Sequence, residues 1–197
     1  MKRAAPSTQS SFEPATEDAI VQPFGSLAPV RLGLSEVVRH KSVAALNRLL
    51  AHSLAMRDLY KKAHWQTFGA TFYELHLLFD KHHGQQVELG DALAERVQAL
   101  GGVALALSQD VVQESRIARA PRGRESVPAQ LERLLEGHES ILLEARPLGR
   151  EAAKYEDDGT NDLIVSQVVR INELQSWFVG EHLAAHSESG CVPKRAL

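Results

Sequence analysis

From Ser35 onward, apolar residues return every three to four positions in four long stretches separated by glycine and proline. That period lines up one face of an α-helix. The first stretch runs from Ser35 to about Phe68. Leu46, Leu50, Leu54 and the run from Met56 to Leu59 form its stripe, Ser35 is a suitable N-cap, and Gly69 stops it. The second runs from Thr71 to Leu100 without an internal proline. Leu75, Leu78, Phe79, Val87, Ala94 and Val97 are expected to face inward, and Gly101–Gly102 ends the helix. The third, from about Pro128 to Tyr155, turns Leu131, Leu134, Leu135, Ile141 and Leu142 inward, and Pro147 predicts a kink. The fourth begins near Thr160, its expected cap. It carries Leu163, Ile164, Val168, Ile171, Leu174 and Phe178. Between the second and third lies a connection, Val103–Pro128, whose middle part DVVQESRIAR predicts a short helix. No β alternation competes, so the expectation is an all-α four-helix bundle with a short helix in its long central connection.

The polar positions of the second helix are patterned as well. His76 and Asp80 lie four apart, as do Asp91 and Glu95, so each pair shares a face and could hold a cation. Asp80 and Asp91 are separated by about three turns, which puts both pairs on one stripe. They are nevertheless roughly 16 Å apart along the axis, too far for one ion. The two pairs are symmetric about Gln85–Gln86. A second copy of the helix, antiparallel about a two-fold axis there, would set His76 and Asp80 of one chain against Asp91 and Glu95 of the other, twice over. Gly84 would allow close approach. One such pair is ordinarily a solvated surface pair; two pairs in this symmetric arrangement predict a dimer with shared metal sites. Imidazole and carboxylate together suit Fe(II), with Zn(II), Mn(II) or Co(II) as competitors, and carboxylates then favour Fe(III).

Composition narrows the class. The 197 residues are enough for one domain with a substantial core. A formal net charge of −3 weighs against strong overall attraction to nucleic acid or membranes. No run of apolar residues is long enough to span a bilayer, and Lys2 and Arg3 are not followed by the apolar core of a leader peptide. The single cysteine, Cys191, has no internal partner, and a cytoplasmic location is expected. Residues 1–34 hold four of the eight prolines without periodicity and with balanced charge, so they are read as a loosely held arm rather than a basic DNA-binding one. Residues 187–197 are read as a C-terminal tail.

The run KKAHWQTFGATFYELHLLFDKHHGQQVELGDALAERVQALGGVAL resembles the signature of the Dps family, the mini-ferritins of starved bacterial cells. The later run EDDGTNDLIVSQVVRINELQSWFVGEHL is similar to that family's last helix and the acidic turn before it, and the resemblance spans about residues 35–186. It implies a dodecameric hollow shell. It also implies a ferroxidase centre between two subunits, with His64, His76 and Asp80 from one and Asp91 and Glu95 from its partner. Fe(II) would be oxidised there, preferably by hydrogen peroxide, and stored inside as ferric mineral. Trp65, beside His64, would take up oxidising equivalents in such a protein, and is equally readable as a packing residue; Tyr60 is a weaker candidate. Asp157, Asp158 and Asp162 would line a three-fold pore that draws cations inward, although the same turn also reads as a solvated charge run complementing a helix N-terminus. His82 and His83 are placed near the two-fold axis. His40, His52, His138, His182 and His186 are read as ordinary surface or core histidines, and Trp177 as packing in the last helix. The rival functional reading is a nucleoid-associated DNA-compacting protein.

Overall fold

The structure, a computed structural model, describes residues 19–189, with side chains as far as residue 184. The arm up to residue 18, Cys191 and the side chain of His186 lie outside the described residues. Six α-helices follow in order: α1 Glu36–Gln66, α2 Phe72–Ala99, α3 Ser108–Glu114, α4 Val127–Lys154, α5 Asp158–Asp162 and α6 Arg170–Ser189. A π-helical segment, Leu163–Val169, joins α5 to α6, so these three form one continuous fourth rod of the bundle. The described residues include no strand.

Local chemistry accounts for most boundaries. The Ser35 hydroxyl accepts from the Val38 amide and caps α1. Gly101 takes a φ of +83°, and the amides of Gly101 and Gly102 turn back to the carbonyls of Gln98 and Val97, the bonding of a Schellman cap. For α4 the cap is Ser126, two residues ahead of the expected start, with Pro128 in the first turn where its missing amide costs nothing. The rod runs unbroken through Pro147. Asp157, not Thr160, caps α5: its carboxylate accepts from the Thr160 amide.

α1 packs on α2 through the short turn that joins them, and α4 packs on the fourth rod; α1 against α4 closes the bundle. Leu46, Leu50, Phe79, Leu93, Leu131, Leu134, Ile164 and Val168 are among the buried side chains at its centre. Each contributes roughly 1.5–3 kcal/mol of burial relative to exposure.

Two parts of the inward register depart from the apolar pattern. On α2 the buried positions are Leu75, Phe79, His82, Gln86, Leu89, Gly90, Leu93 and Val97, while Val87 is 44% exposed. On the fourth rod the wider π turn delays the stripe by one residue. Asn172, Gln175 and Val179 therefore point inward, whereas Leu174 and Phe178 lie outward and Trp177 is 60% exposed. These inward polar groups satisfy one another. Gln86 bonds Ser53, Asn172 and Gln175; His138 bonds Asn172; and the Tyr60 hydroxyl lies between His138 and His82. His82 is thus a core residue and not an interfacial one.

The segment before α1, expected as part of a loose arm, is tied down from Gln22 onward. The Gln22 side chain and the Ala28 amide both donate to the Gly101 carbonyl. The buried guanidinium of Arg39 donates to the Ala28 and Leu100 carbonyls, at the negative end of α2.

Candidate metal centre

The turn between α1 and α2 is what brings His64 against His76. The Thr67 amide closes α1 on the Ala63 carbonyl, Gly69 reverses the chain at a φ of +93°, and α2 returns along α1. His64, in the last turn of α1, then faces His76, in the first turns of α2. The Nδ1 of His64 lies 2.8 Å from the His76 carbonyl oxygen, and the Nδ1 of His76 lies 2.9 Å from the His64 carbonyl oxygen. A carbonyl can only accept, so both Nδ1 atoms carry hydrogen and donate. The His64 carbonyl is among the last four of α1, which have no partner within their own helix, so His76 satisfies a group that the helix end leaves open.

The rings stack with centroids 3.7 Å apart and planes inclined by 20°. Because Nδ1 is engaged on both, Nε2 is the ring nitrogen left for a ligand, the arrangement typical of metal-binding histidine. The Nε2 of His64 is 3.8 Å from Asp80 Oδ1. Asp80 is half exposed, and its Oδ1 also accepts from the Lys61 ammonium at 2.7 Å. That hydrogen bond holds its carboxyl below the usual range, so a carboxylate with a cation already seated on it stands beside the His64 imidazole. Imidazole nitrogen and carboxylate oxygen are donor types that suit a divalent ion of borderline hardness.

Asp91 and Glu95 are exposed on the outer face of α2, on the stripe that carries Asp80. Within one chain they stay apart from the histidines, and the described residues of one chain bring together no group of three His, Cys, Asp or Glu side chains able to hold a metal ion. Val87 and Gly84 lie between the two halves of that stripe, and a Cβ on Gly84 would meet nothing. Trp65, next to His64, is 69% exposed.

The acidic turn divides. Asp158 and Asp162 are exposed, and Asp162 accepts from the Ser166 hydroxyl. Asp157 is buried, and this corrects its assignment to a pore lining. Its carboxylate accepts from the Ser42 hydroxyl at 2.6 Å, from the Arg96 guanidinium at 2.6 Å and from the Thr160 amide. Burial alone would raise its pKa; these donors more than offset that and hold it below the usual carboxylate value. A carboxylate so engaged is a fastener between α1, α2 and the turn, not a group facing passing cations.

Sequence reasoning missed the centre of the bundle. Burial pushes His138 down to about 4 and His82 to about 3, so both are neutral there. Asn172 donates its amide to the Val168 carbonyl and so presents its oxygen to His138 Nδ1–H. His138 Nε2 is therefore the acceptor of the Tyr60 hydroxyl. Tyr60 is itself fully buried, and its pKa is raised by that burial. A heptad count that ignored residue type would have placed His82 and Gln86 inside, between Phe79 and Leu89.

A model of the ferritin-like domain matches residues 43–187. Among solved structures, DpsC from Streptomyces coelicolor is 51% identical and superposes with a TM-score of 0.82, covering 83% of this chain and 95% of that one. A protein encoded in the bpoA2 5' region of Kitasatospora aureofaciens is 45% identical over 139 residues, 71% of this chain and 93% of the relative. The DNA protection during starvation protein of Agrobacterium fabrum is 28% identical over 145 residues, 74% of this chain and 89% of the relative. No helix among the described residues is long and apolar enough to cross a membrane.

Proposed function

The chain belongs to the Dps family of ferritin-like proteins, and from that premise we propose that it is a ferroxidase and iron store. Fe(II) is its substrate, oxidised at a site shared between two subunits of a dodecameric shell and kept inside as ferric mineral. Hydrogen peroxide is the preferred oxidant in this reading, so iron and peroxide are consumed together. The observation that carries it is the reciprocal pair of bonds between His64 and His76, which leaves the Nε2 of each ring free of the backbone, that of His64 at 3.8 Å from the Asp80 carboxylate.

Each residue has a part that its chemistry suits. His64 and His76 supply nitrogen donors whose direction is fixed before any ion arrives, so little ordering is lost on binding. Asp80 supplies a carboxylate held ionised by Lys61. Asp91 and Glu95 of the facing subunit complete the oxygen set, and that set favours the ferric product. Zinc competes for the same donors. Asp158 and Asp162 remain as the exposed carboxylates of the proposed cation route. In this reading Trp65, the sequence neighbour of His64, supplies an electron when only one Fe(II) meets peroxide.

The test follows Fe(II) loss and Fe(III) appearance on adding hydrogen peroxide without air, for wild type and Glu95→Ala. Fast oxidation by wild type that falls to the protein-free rate in an assembled Glu95→Ala shell supports the reading. Equal rates in the two proteins refute it.

A further inference from the structure

The central connection closes over a cavity that the iron chemistry does not use. Asn47 holds the start of the connection: its side-chain amide donates to the Val103 carbonyl and its side-chain oxygen accepts from the Leu105 amide. The seven-residue α3 then meets the core through Val111, its one buried side chain. Beyond it the backbone is irregular from Ser115 to Glu125. Ile117 is pinned there, its amide donating to the Ser115 hydroxyl at 3.2 Å and its side chain packed on the core beside Gly137. At the far end the Gly123 carbonyl accepts from Lys62, and Arg124 donates to the Gln66 and Thr67 carbonyls. Fastened at these points, the segment arches over α1. Ala118 and Ala120, at its middle, are too short to fill the space beneath.

That space is a cavity of about 470 Å³, within the range of small-molecule sites. Ala55 and Leu59 of α1 line one wall and Val111 and Ile117 the other, and no lining residue is aromatic. Arg57, Lys62 and Arg119 stand around it with a single acid, Asp58. Arg57 is paired with Asp58 at 2.8 Å, and Lys62 shares Glu125 with Arg133. Arg119 is exposed and makes neither an ion pair nor a hydrogen bond among the described residues. An aliphatic hollow with one uncommitted guanidinium beside it is complementary to an apolar chain that ends in one negative charge. Lys61 and Lys62 are consecutive on α1 and so point about 100° apart. Lys61 turns to Asp80 and Lys62 to the cavity, which places the cavity on a different face of α1 from the metal centre.

We infer that this cavity binds a free fatty acid, its alkyl chain between α1 and the arch and its carboxylate on Arg119. The guanidinium fork matches a carboxylate through two parallel donors. The lining selects the body of the ligand. A flat aromatic acid gains from stacking on a ring, and the cavity offers none. An unbranched alkyl chain needs only burial and close contact, which Ala55, Leu59, Val111 and Ile117 supply. A cationic amphiphile would meet Arg119 as a like charge, and a neutral one would leave it unused.

The experiment titrates the full-length assembled protein with dansyl-undecanoate, read by fluorescence, and displaces the probe with dodecanoate, dodecanol or dodecyltrimethylammonium. The comparison is with Arg119→Gln, which removes the charge, and Ala55→Phe, which fills the cavity. Wild type is expected to bind the probe saturably and to release it to dodecanoate at lower concentration than to dodecanol, with dodecyltrimethylammonium weakest. Arg119→Gln should lose about tenfold in dodecanoate affinity, the scale of a charge-assisted hydrogen bond, and keep that for dodecanol. Ala55→Phe should lose both. Iron oxidation at the wild-type rate in both variants separates this inference from the ferroxidase reading. No saturable binding by wild type would overturn it, as would equal dodecanoate affinity in Arg119→Gln, or probe binding undiminished in an assembled Ala55→Phe. Tighter binding to phosphatidylglycerol vesicles than to dodecanoate would also overturn it, by making the patch a membrane contact. Arg119 is exposed and unbonded, so its substitution leaves the fold intact, and that comparison decides by itself if Ala55→Phe does not assemble.

Discussion

His64 and His76 orient each other: each donates its Nδ1 proton to the other's backbone carbonyl, at 2.8 and 2.9 Å, and the rings lie face to face 3.7 Å apart. Each ring packs on the other and is held by the other's backbone, with Phe72 also against the His76 ring at 5.1 Å, so removing one loosens the other as well as deleting a donor. Isothermal titration with Co(II), a non-oxidising stand-in for Fe(II), is expected to show each of His64→Ala and His76→Ala losing more than about 100-fold in affinity. The double variant should be little worse than either single one, the non-additivity of residues that act as a unit. Additive losses would mean that the two rings are independent ligands.

The bundle centre gives a prediction about stability. Tyr60→Phe removes the hydroxyl that satisfies His138 Nε2 and His82 Nδ1 and leaves both buried without a partner. The expected cost is about 1–3 kcal/mol per subunit, read as a lower thermal midpoint of the assembled protein at fixed concentration. A variant as stable as wild type would show that the network contributes shape only.

The same burial sets a pH dependence. His138 titrates at about 4 in the folded protein, against 6.5 for an unperturbed imidazole. Below pH 6.5 the unfolded chain takes up a proton that the folded one refuses, so stability is full above that pH and falls as pH drops from 6.5 toward 4. The loss from this one group is about 3 kcal/mol per subunit at the lower end. Denaturation midpoints measured across that range should fall less steeply in His138→Gln, whose amide can keep the bonds to Tyr60 and Asn172 but does not titrate.

The acidic turn separates into structural and functional carboxylates. Asp157→Asn is expected to destabilise the protein by about 3–5 kcal/mol, because it leaves the Arg96 guanidinium facing a neutral group in a buried pair. Asp158→Asn with Asp162→Asn should leave the thermal midpoint within about 0.5 kcal/mol of wild type, as surface changes do, while slowing iron uptake into the shell. Uptake at the wild-type rate in that double variant would place the cation route elsewhere.

How far the sequence could be read depends on what its pattern encodes. Four rods, the short α3 and the caps at Ser35 and Gly101 follow from periodicity and from single residues with one dominant use. The pairing of His76 with Asp80 and of Asp91 with Glu95 follows from helical geometry alone. The misplaced residues are those for which tertiary context outweighed polarity. Val87 looked inward because it is apolar, yet Gln86 is the buried one, its amide satisfied by Asn172 and Gln175. Leu174 and Phe178 were misdirected by one residue because no local signal in Leu163–Val169 announces a π turn. Asp157 looked like its neighbours Asp158 and Asp162. Only the fold shows that Ser42 and Arg96, both distant in sequence, converge on it.

The central claim is that the site is built by two subunits, and subunit mixing tests it most directly. His76→Ala and Glu95→Ala shells, each inactive in peroxide-driven Fe(II) oxidation, are dissociated, mixed in equal amounts and reassembled. In a mixed dimer one site lacks both residues and the other has both, because each variant supplies what the other lost. Random pairing should then restore about a quarter of the wild-type activity. A mixture no more active than its parents would contradict the account and place the ligands within one chain.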